Sequence, residues 1–147
     1  MLEIGPGMGF FTIPMARMVG EHGRIVCVDL QEKMLNSLQR RARTAGLADR
    51  INTRLATSDT LNVRDYTSRI DFALAFAVVH EVPDQDKLFK EVHETMKSGA
   101  LLLVSEPTGH VTTHAFTETI AAADRIGFGL IDRPTIKRSF SAVFTRR

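Results

Sequence analysis

The sequence has little capacity for covalent cross-linking. Cys27 is the single cysteine among 147 residues, so no intramolecular disulfide can form, and the composition suits a reducing cytoplasm. Long apolar runs are lacking as well. The longest, Phe72 to Val79, has eight residues, against the roughly 20 that a membrane-spanning helix needs. No basic segment followed by a long apolar stretch opens the chain, so no signal peptide is visible. Charge of one sign is also scarce: 19 Lys and Arg face 17 Asp and Glu, a formal net charge of +2. That is too little to call for a nucleic acid or an anionic membrane as partner. Internal repeats, linkers and low-complexity stretches are missing, which leaves one domain over residues 1–147. With 44% hydrophobic and 24% charged residues, a chain this long buries about 70% of its unfolded surface and needs no disulfide or metal staple.

Short β-rich apolar runs alternate with segments of helical period. Leu2-Glu3-Ile4 reads as the end of a buried strand, stopped by Gly5-Pro6-Gly7. A helix follows over Phe10 to Val19, with Pro14 near enough to its start to be tolerated. Ile25-Val26-Cys27-Val28, within Arg24 to Asp29, is apolar on both faces, as a central parallel strand should be. Met34, Leu38, Ala42 and Ala45 repeat at helical spacing. Ile51 to Leu55 and Ile70 to Val79 read as strands, and Leu88, Val92 and Met96 mark the helix after them. Ala100 to Val104 is a further buried strand, followed by a helix with Phe116, Ile120 and Ala123 on one face. Gly129 to Thr135 and Ser139 to Thr145 are strand-like, and the polar link between them is too short for a helical crossover, so they pair antiparallel. The result is a mostly parallel α/β sheet ending in an antiparallel hairpin.

The stretch Leu2-Glu3-Ile4-Gly5-Pro6-Gly7-Met8-Gly9-Phe10 carries the most chemistry. Glycines between a strand and a helix allow a sharp turn and the approach of a ligand to bare backbone. Asp29 ends the second strand, where a carboxylate can accept hydrogen bonds from both hydroxyls of a ribose. A dinucleotide fingerprint would read G-x-G-x-x-G. Counted from Gly5 its third glycine falls on Phe10, and counted from Gly7 it falls on Thr12. Glycine instead recurs at Gly9, giving G-x-G-x-G, a spacing that disfavours NAD and with it a nicotinamide dehydrogenase.

With Glu3 before the loop, the pattern resembles the first motif of the class I S-adenosylmethionine-dependent methyltransferases, and the resemblance extends from the first strand to the terminal hairpin. It implies a Rossmann-like, seven-stranded, mostly parallel sheet of order 3-2-1-4-5-7-6, strand 7 antiparallel, with helices on both faces. It implies that Glu3, Gly5 and Gly7 hold the methionine moiety of S-adenosylmethionine, that Gly9 also belongs to the cofactor site, that Asp29 binds the ribose, and that Leu30 lies against adenine. Ser58-Asp59-Thr60 stands where the family usually has Gly-Asp-Ala, so Asp59, with Ser58, is expected to read the adenine amine. The segment through Phe76, with His80-Glu81-Val82-Pro83-Asp84, looks like the strand and loop bordering the reacting methyl group, and Ser105-Glu106-Pro107 matches the end of the fifth strand. The implied reaction is methyl transfer to a small-molecule acceptor, leaving S-adenosyl-L-homocysteine. Such an in-line displacement needs alignment more than acid–base help. His80 and Glu81 are the candidate catalytic residues, and Glu106 is a further candidate base. The Leu-Glu-Ile-Gly-Pro-Gly start and the His-Glu-Val-Pro-Asp segment look most like the ubiquinone/menaquinone-biosynthesis-type and generic small-molecule branch. No Asn-Pro-Pro-Tyr-type motif follows the fourth strand, which counts against nucleic-acid bases.

Family members usually carry a helical segment before the first strand, and here the first element begins at residue 1. This motivates a second reading, a nucleoside-binding module without catalytic activity of its own, and the expectation that a homodimer covers the exposed cofactor side. The remaining candidates have plainer readings. Asp84 is the N-cap of the helix carrying Leu88. His110 and His114, with Glu118, would share a helical face, but without an H-E-x-x-H arrangement no metal is expected. Gln39-Arg40-Arg41-Ala42-Arg43 reads as the wet side of a helix, and Cys27 as an inert buried thiol.

Overall fold

The computed structural model describes residues 1–147, which fall into two compact units, Met1–Val63 and Arg64–Arg147. Their strands form one seven-stranded sheet in the order β3-β2-β1-β4-β5-β7-β6, the order the resemblance implies.

The first unit comprises β1 (Leu2–Ile4), α1 (Thr12–Met18), β2 (Ile25–Asp29), α2 (Glu32–Thr44) and β3 (Ile51–Leu55). β2 pairs parallel with both β1 and β3, placing Glu3 beside Cys27 and Asp29 beside Leu55. Residues Ile25 to Val28 are all buried, as a strand apolar on both faces requires. Ile13 and Ala16 of α1 and Leu38 and Ala42 of α2 close over Ile25 and Cys27. Leu35, not Met34, is the fully buried member of the first turn of α2. α1 is shorter than the apolar pattern predicts. Phe10 and Phe11 remain in the loop, their rings edge to face at 4.9 Å, and Pro14 takes the third helical position, where its missing N–H has no intrahelical partner to lose.

The second unit comprises β4 (Ile70–Phe76), α3 (Gln85–Thr95), β5 (Met96–Pro107), α4 (Thr113–Ile126), β6 (Phe128–Asp132) and β7 (Ser139–Arg146). β4 runs parallel to β5, and β7 is antiparallel to both β5 and β6. The core is aromatic: Phe128 meets Phe89 at 6.1 Å, His93 at 5.2 Å and Phe144 at 6.3 Å. Asp84 caps α3 as expected, its Oδ1 accepting from the Lys87 amide at 2.9 Å, an arrangement worth about 1 kcal/mol. Thr112 caps α4 through the Ala115 amide.

Three boundaries differ from the pattern. β4 stops at Phe76, three residues before the end of its apolar run, because Ala77 turns to φ 55° and donates its N–H to the Ser105 carbonyl at 2.7 Å. Met96 starts β5 instead of ending α3. Its backbone is extended and it pairs with Ile70 in the β4–β5 ladder, so its burial serves the sheet. β6 ends at Asp132, ahead of Pro134, which has no N–H to give a ladder.

Candidate functional site

In the first unit the site is built around the loop between β1 and α1. Gly5, Gly7 and Gly9 all take positive φ, at 68°, 55° and 89°, where a side chain would cost about 1–2 kcal/mol. Gly5 donates its N–H to the Val28 carbonyl, and Gly9 to the Pro6 carbonyl, each at 2.9 Å. The second and third glycines differ in what surrounds them. A Cβ on Gly7 would meet nothing within 4 Å, whereas one on Gly9 would fall 2.5 Å from Leu38 Cδ1. Gly7 thus offers bare backbone to a ligand, and Gly9 lets α2 pack close beneath the loop.

Glu3, in the middle of β1, is buried. Its side chain is only 3% exposed, and Oε2 accepts from Thr12 Oγ1 at 2.6 Å and from Cys27 Sγ at 3.7 Å. These bonds tie β1 to the start of α1 and to β2. Burial raises the Glu3 carboxyl above its ordinary range, against the two hydrogen bonds, which lower it. Burial and then the Glu3 charge push the Cys27 thiol well up. Cys27 is buried and contributes a donor to a buried acid.

Asp29 ends β2 half-buried. Its Oδ1 accepts the Gln31 amide at 2.9 Å, which holds the turn into α2 and leaves Oδ2 for a hydroxyl. Leu30 beside it is 63% exposed, and Phe10 is 77% exposed. The segment after β3 starts against Asp29, whose carbonyl accepts the Ala56 amide at 2.9 Å. Ser58 and Asp59 lie exposed in that loop, the Asp59 amide donating to Thr57 Oγ1 at 3.2 Å. Arg41 is exposed, as read, and also donates from Nη1 to the Met8 carbonyl at 2.8 Å, fastening the glycine loop to α2.

In the second unit Phe76 closes β4 half-buried, and a 3-10 turn over Val79–Glu81 follows. Glu106, read as a base, is engaged by its own chain. Its carboxylate accepts the amides of Val78 at 3.2 Å, Val79 at 2.8 Å and His80 at 3.4 Å, and meets His80 Nδ1. Glu81 is exposed on the same turn. His110 lies in the turn before α4, so the helical face it would share with His114 does not form, and its ring sits 5.7 Å from that of His80. No group of three metal-ligating side chains assembles there or elsewhere.

The strand order, the three positive-φ glycines and the acid closing β2 together describe a nucleoside-binding sheet, and comparison with known proteins gives it a family. The methyltransferase domain family matches residues 2–104. The chain belongs to the class I S-adenosylmethionine-dependent methyltransferases. This methyltransferase domain is 31% identical over 106 residues to the ubiquinone/menaquinone biosynthesis C-methyltransferase UbiE of Haemophilus ducreyi, covering 72% of the chain and 40% of that relative. It is 28% identical to the UbiE protein of Pasteurella multocida, again over 72% of the chain and 39% of the relative. The domain therefore spans about 40% of the length of the curated relatives it matches. Among solved structures it resembles a SAM-dependent methyltransferase from Aquifex aeolicus, with TM-score 0.88 and 20% identity over 99% of this chain and 81% of that one. It also resembles the [4+2]-cyclase SpnF, with TM-score 0.79 and 15% identity over 98% and 73%. At those identities the likeness is one of fold.

S-adenosylmethionine is the cofactor of this family, and the methyltransferase domain offers open backbone at Gly7, an unused carboxylate oxygen at Asp29 and an exposed apolar side chain at Leu30. Those features suit a charged amino-acid tail, a ribose and a flat base. No helix is long and apolar enough to cross a membrane.

Proposed function

We propose that the chain binds S-adenosylmethionine and transfers its methyl group to a small-molecule acceptor. The observation that carries the reading is the loop itself, where Gly7 has open space over its backbone while Glu3, Thr12 and Arg41 hold the turn from behind and the side. In this reading the backbone of Gly5 and Gly7 takes the methionine moiety and Asp29 Oδ2 takes a ribose hydroxyl. Leu30 covers one face of the adenine, Ser58 and Asp59 face its edge, and Phe76 borders the reacting end. Glu3 and Gly9 act as positioning residues. The bound cofactor supplies a methyl group already activated on sulfonium sulfur, so the residues around it have to align and to exclude water. The names of the UbiE relatives support an acceptor of the quinone-ring class, methylated at carbon.

A second reading keeps the nucleoside site without the transfer. It is favoured by the likeness to SpnF, a cyclase on the same fold, since fold alone does not set chemistry. Titration calorimetry with S-adenosylhomocysteine, paired with transfer of a labelled methyl group into a cell-extract small-molecule fraction, separates the two. Binding with a labelled product supports methyl transfer, and binding without any product supports the module. Absence of binding, with Asp29→Ala indistinguishable from the parent chain, overturns both.

A further inference from the structure

The carboxyl ends of β4 and β5 carry a buried acid that cofactor binding leaves unexplained. Glu106 is 1% exposed, and a carboxylate at that depth needs its lone pairs filled. Three backbone amides and the His80 ring converge on it. Oε1 accepts from Val78 and Val79, and Oε2 accepts the His80 amide and meets His80 Nδ1. Successive amides reach one carboxylate because Ala77, at φ 55°, reverses the chain immediately before them.

A carboxylate gathering donors is an acceptor, so the ring hydrogen sits on Nδ1 and Nε2 keeps its lone pair. The His80 side chain is the accessible half of the pair, 21% exposed against 1% for Glu106. A clamp needed only for the turn would be complete with the backbone amides, but here the ring is held as well. The titratable groups against that ring are Glu106 from β5 and His110 from the turn beyond it, whose amide donates to the Pro107 carbonyl. Glu81, next in the turn, is exposed. Carboxyl ends of parallel strands are where open α/β sheets receive their ligands.

We infer that His80 is the general base for the methyl acceptor, that Glu106 is its positioning residue, and that the acceptor carries an ionisable hydroxyl, phenolic or enolic. This rests on the methyl-transfer reading above. His80 Nε2 takes the hydroxyl proton as the electron pair released in the acceptor forms the new bond to the methyl carbon. The pair of the broken carbon–sulfur bond stays on sulfur. Glu106 offsets the charge on the imidazolium that results, which then loses its proton to water.

The test is a long-range ¹H–¹⁵N spectrum of the chain with ¹⁵N-labelled histidines, with and without S-adenosylhomocysteine, His80 being assigned by its loss in His80→Gln. The inference expects the Nδ1–H tautomer at His80 and its erosion in Glu106→Gln. In the extract assay His80→Gln should lower the labelling rate about 100-fold or more, with S-adenosylhomocysteine affinity kept within about twofold. The Nε2–H tautomer in the parent chain overturns the inference whether or not the Glu106 variant folds, as does a His80→Gln chain with the parental rate. Loss of S-adenosylhomocysteine binding by the parent chain removes the underlying reading instead, and is seen separately.

Discussion

Thr12 donates its hydroxyl to Glu3 Oε2 over 2.6 Å, joining the first residue of α1 to the middle of β1. The glycine loop lies between them in sequence, so this bond sets the loop's two ends against each other. Because the acid is buried, its partner matters more than a surface hydroxyl would.

Thr12→Val keeps the shape and removes the donor. It should destabilise the chain by about 1–3 kcal/mol and weaken S-adenosylhomocysteine binding, read by urea denaturation and calorimetry. Adding Glu3→Leu to it should recover part of the stability, since neither buried group is then left wanting a partner. No recovery would mean that the pair is not coupled.

The second and third glycines should fail in different ways. Gly9→Ala drives a Cβ to 2.5 Å from Leu38 Cδ1 at φ +89° and should destabilise folding by roughly 2–4 kcal/mol, combining overpacking with backbone strain. Gly7→Ala has open space at φ +55°, so its folding loss should be about 1 kcal/mol while ligand affinity falls more steeply. Denaturation midpoints and binding constants on both variants check the division.

Arg41→Met keeps the length of the α2 side chain but frees the Met8 carbonyl. Ligand affinity should fall about three- to tenfold, the loss of roughly one hydrogen bond. Arg43, which bonds only within its own helix at the Gln39 carbonyl, serves as the control, and equal effects from both would remove the special role of Arg41.

Two titratable groups should shape stability against pH, in opposite senses. Burial, and then the Arg146 charge, lower His93 from 6.5, and its buried Nε2 has no partner. The unfolded chain therefore binds the proton more readily, and stability falls as pH drops below about 6.5. Glu3 is raised from 4.5, so the folded chain holds that proton better, and stability falls as pH rises from about 4.5 through the folded value. Urea denaturation across this range should show His93→Phe flattening the first slope and Glu3→Gln the second.

What could be read from the residues was whatever is local. The bounds of Ile51–Leu55, the Asp84 cap and the order of strand, loop and helix around Gly5 depend on neighbours in sequence, and they stand as expected, although that helix starts at Thr12 and not at Phe10. The errors fall where distant groups decide. An unbroken apolar run hides the turn at Ala77, because the acid that receives the following amides is Glu106 on another strand. Met96 keeps the helical spacing of Leu88 and Val92 because a buried side chain is apolar in strand and helix alike. Arg41 looks like any solvated arginine until the loop carbonyl it reaches is placed beside it.

The position of β7 also bears on how the second unit is assembled. β5 pairs with β4, which precedes it closely, and with β7, where Leu101 meets Thr145 across the whole of α4 and β6. Contacts of such separation require a long loop to close before they yield any stabilisation, and they slow folding. On the ribosome, β5 therefore presents an unsatisfied row of backbone groups until Ser139–Arg146 emerges, and this interval is when the unit is most open to chaperones and to aggregation.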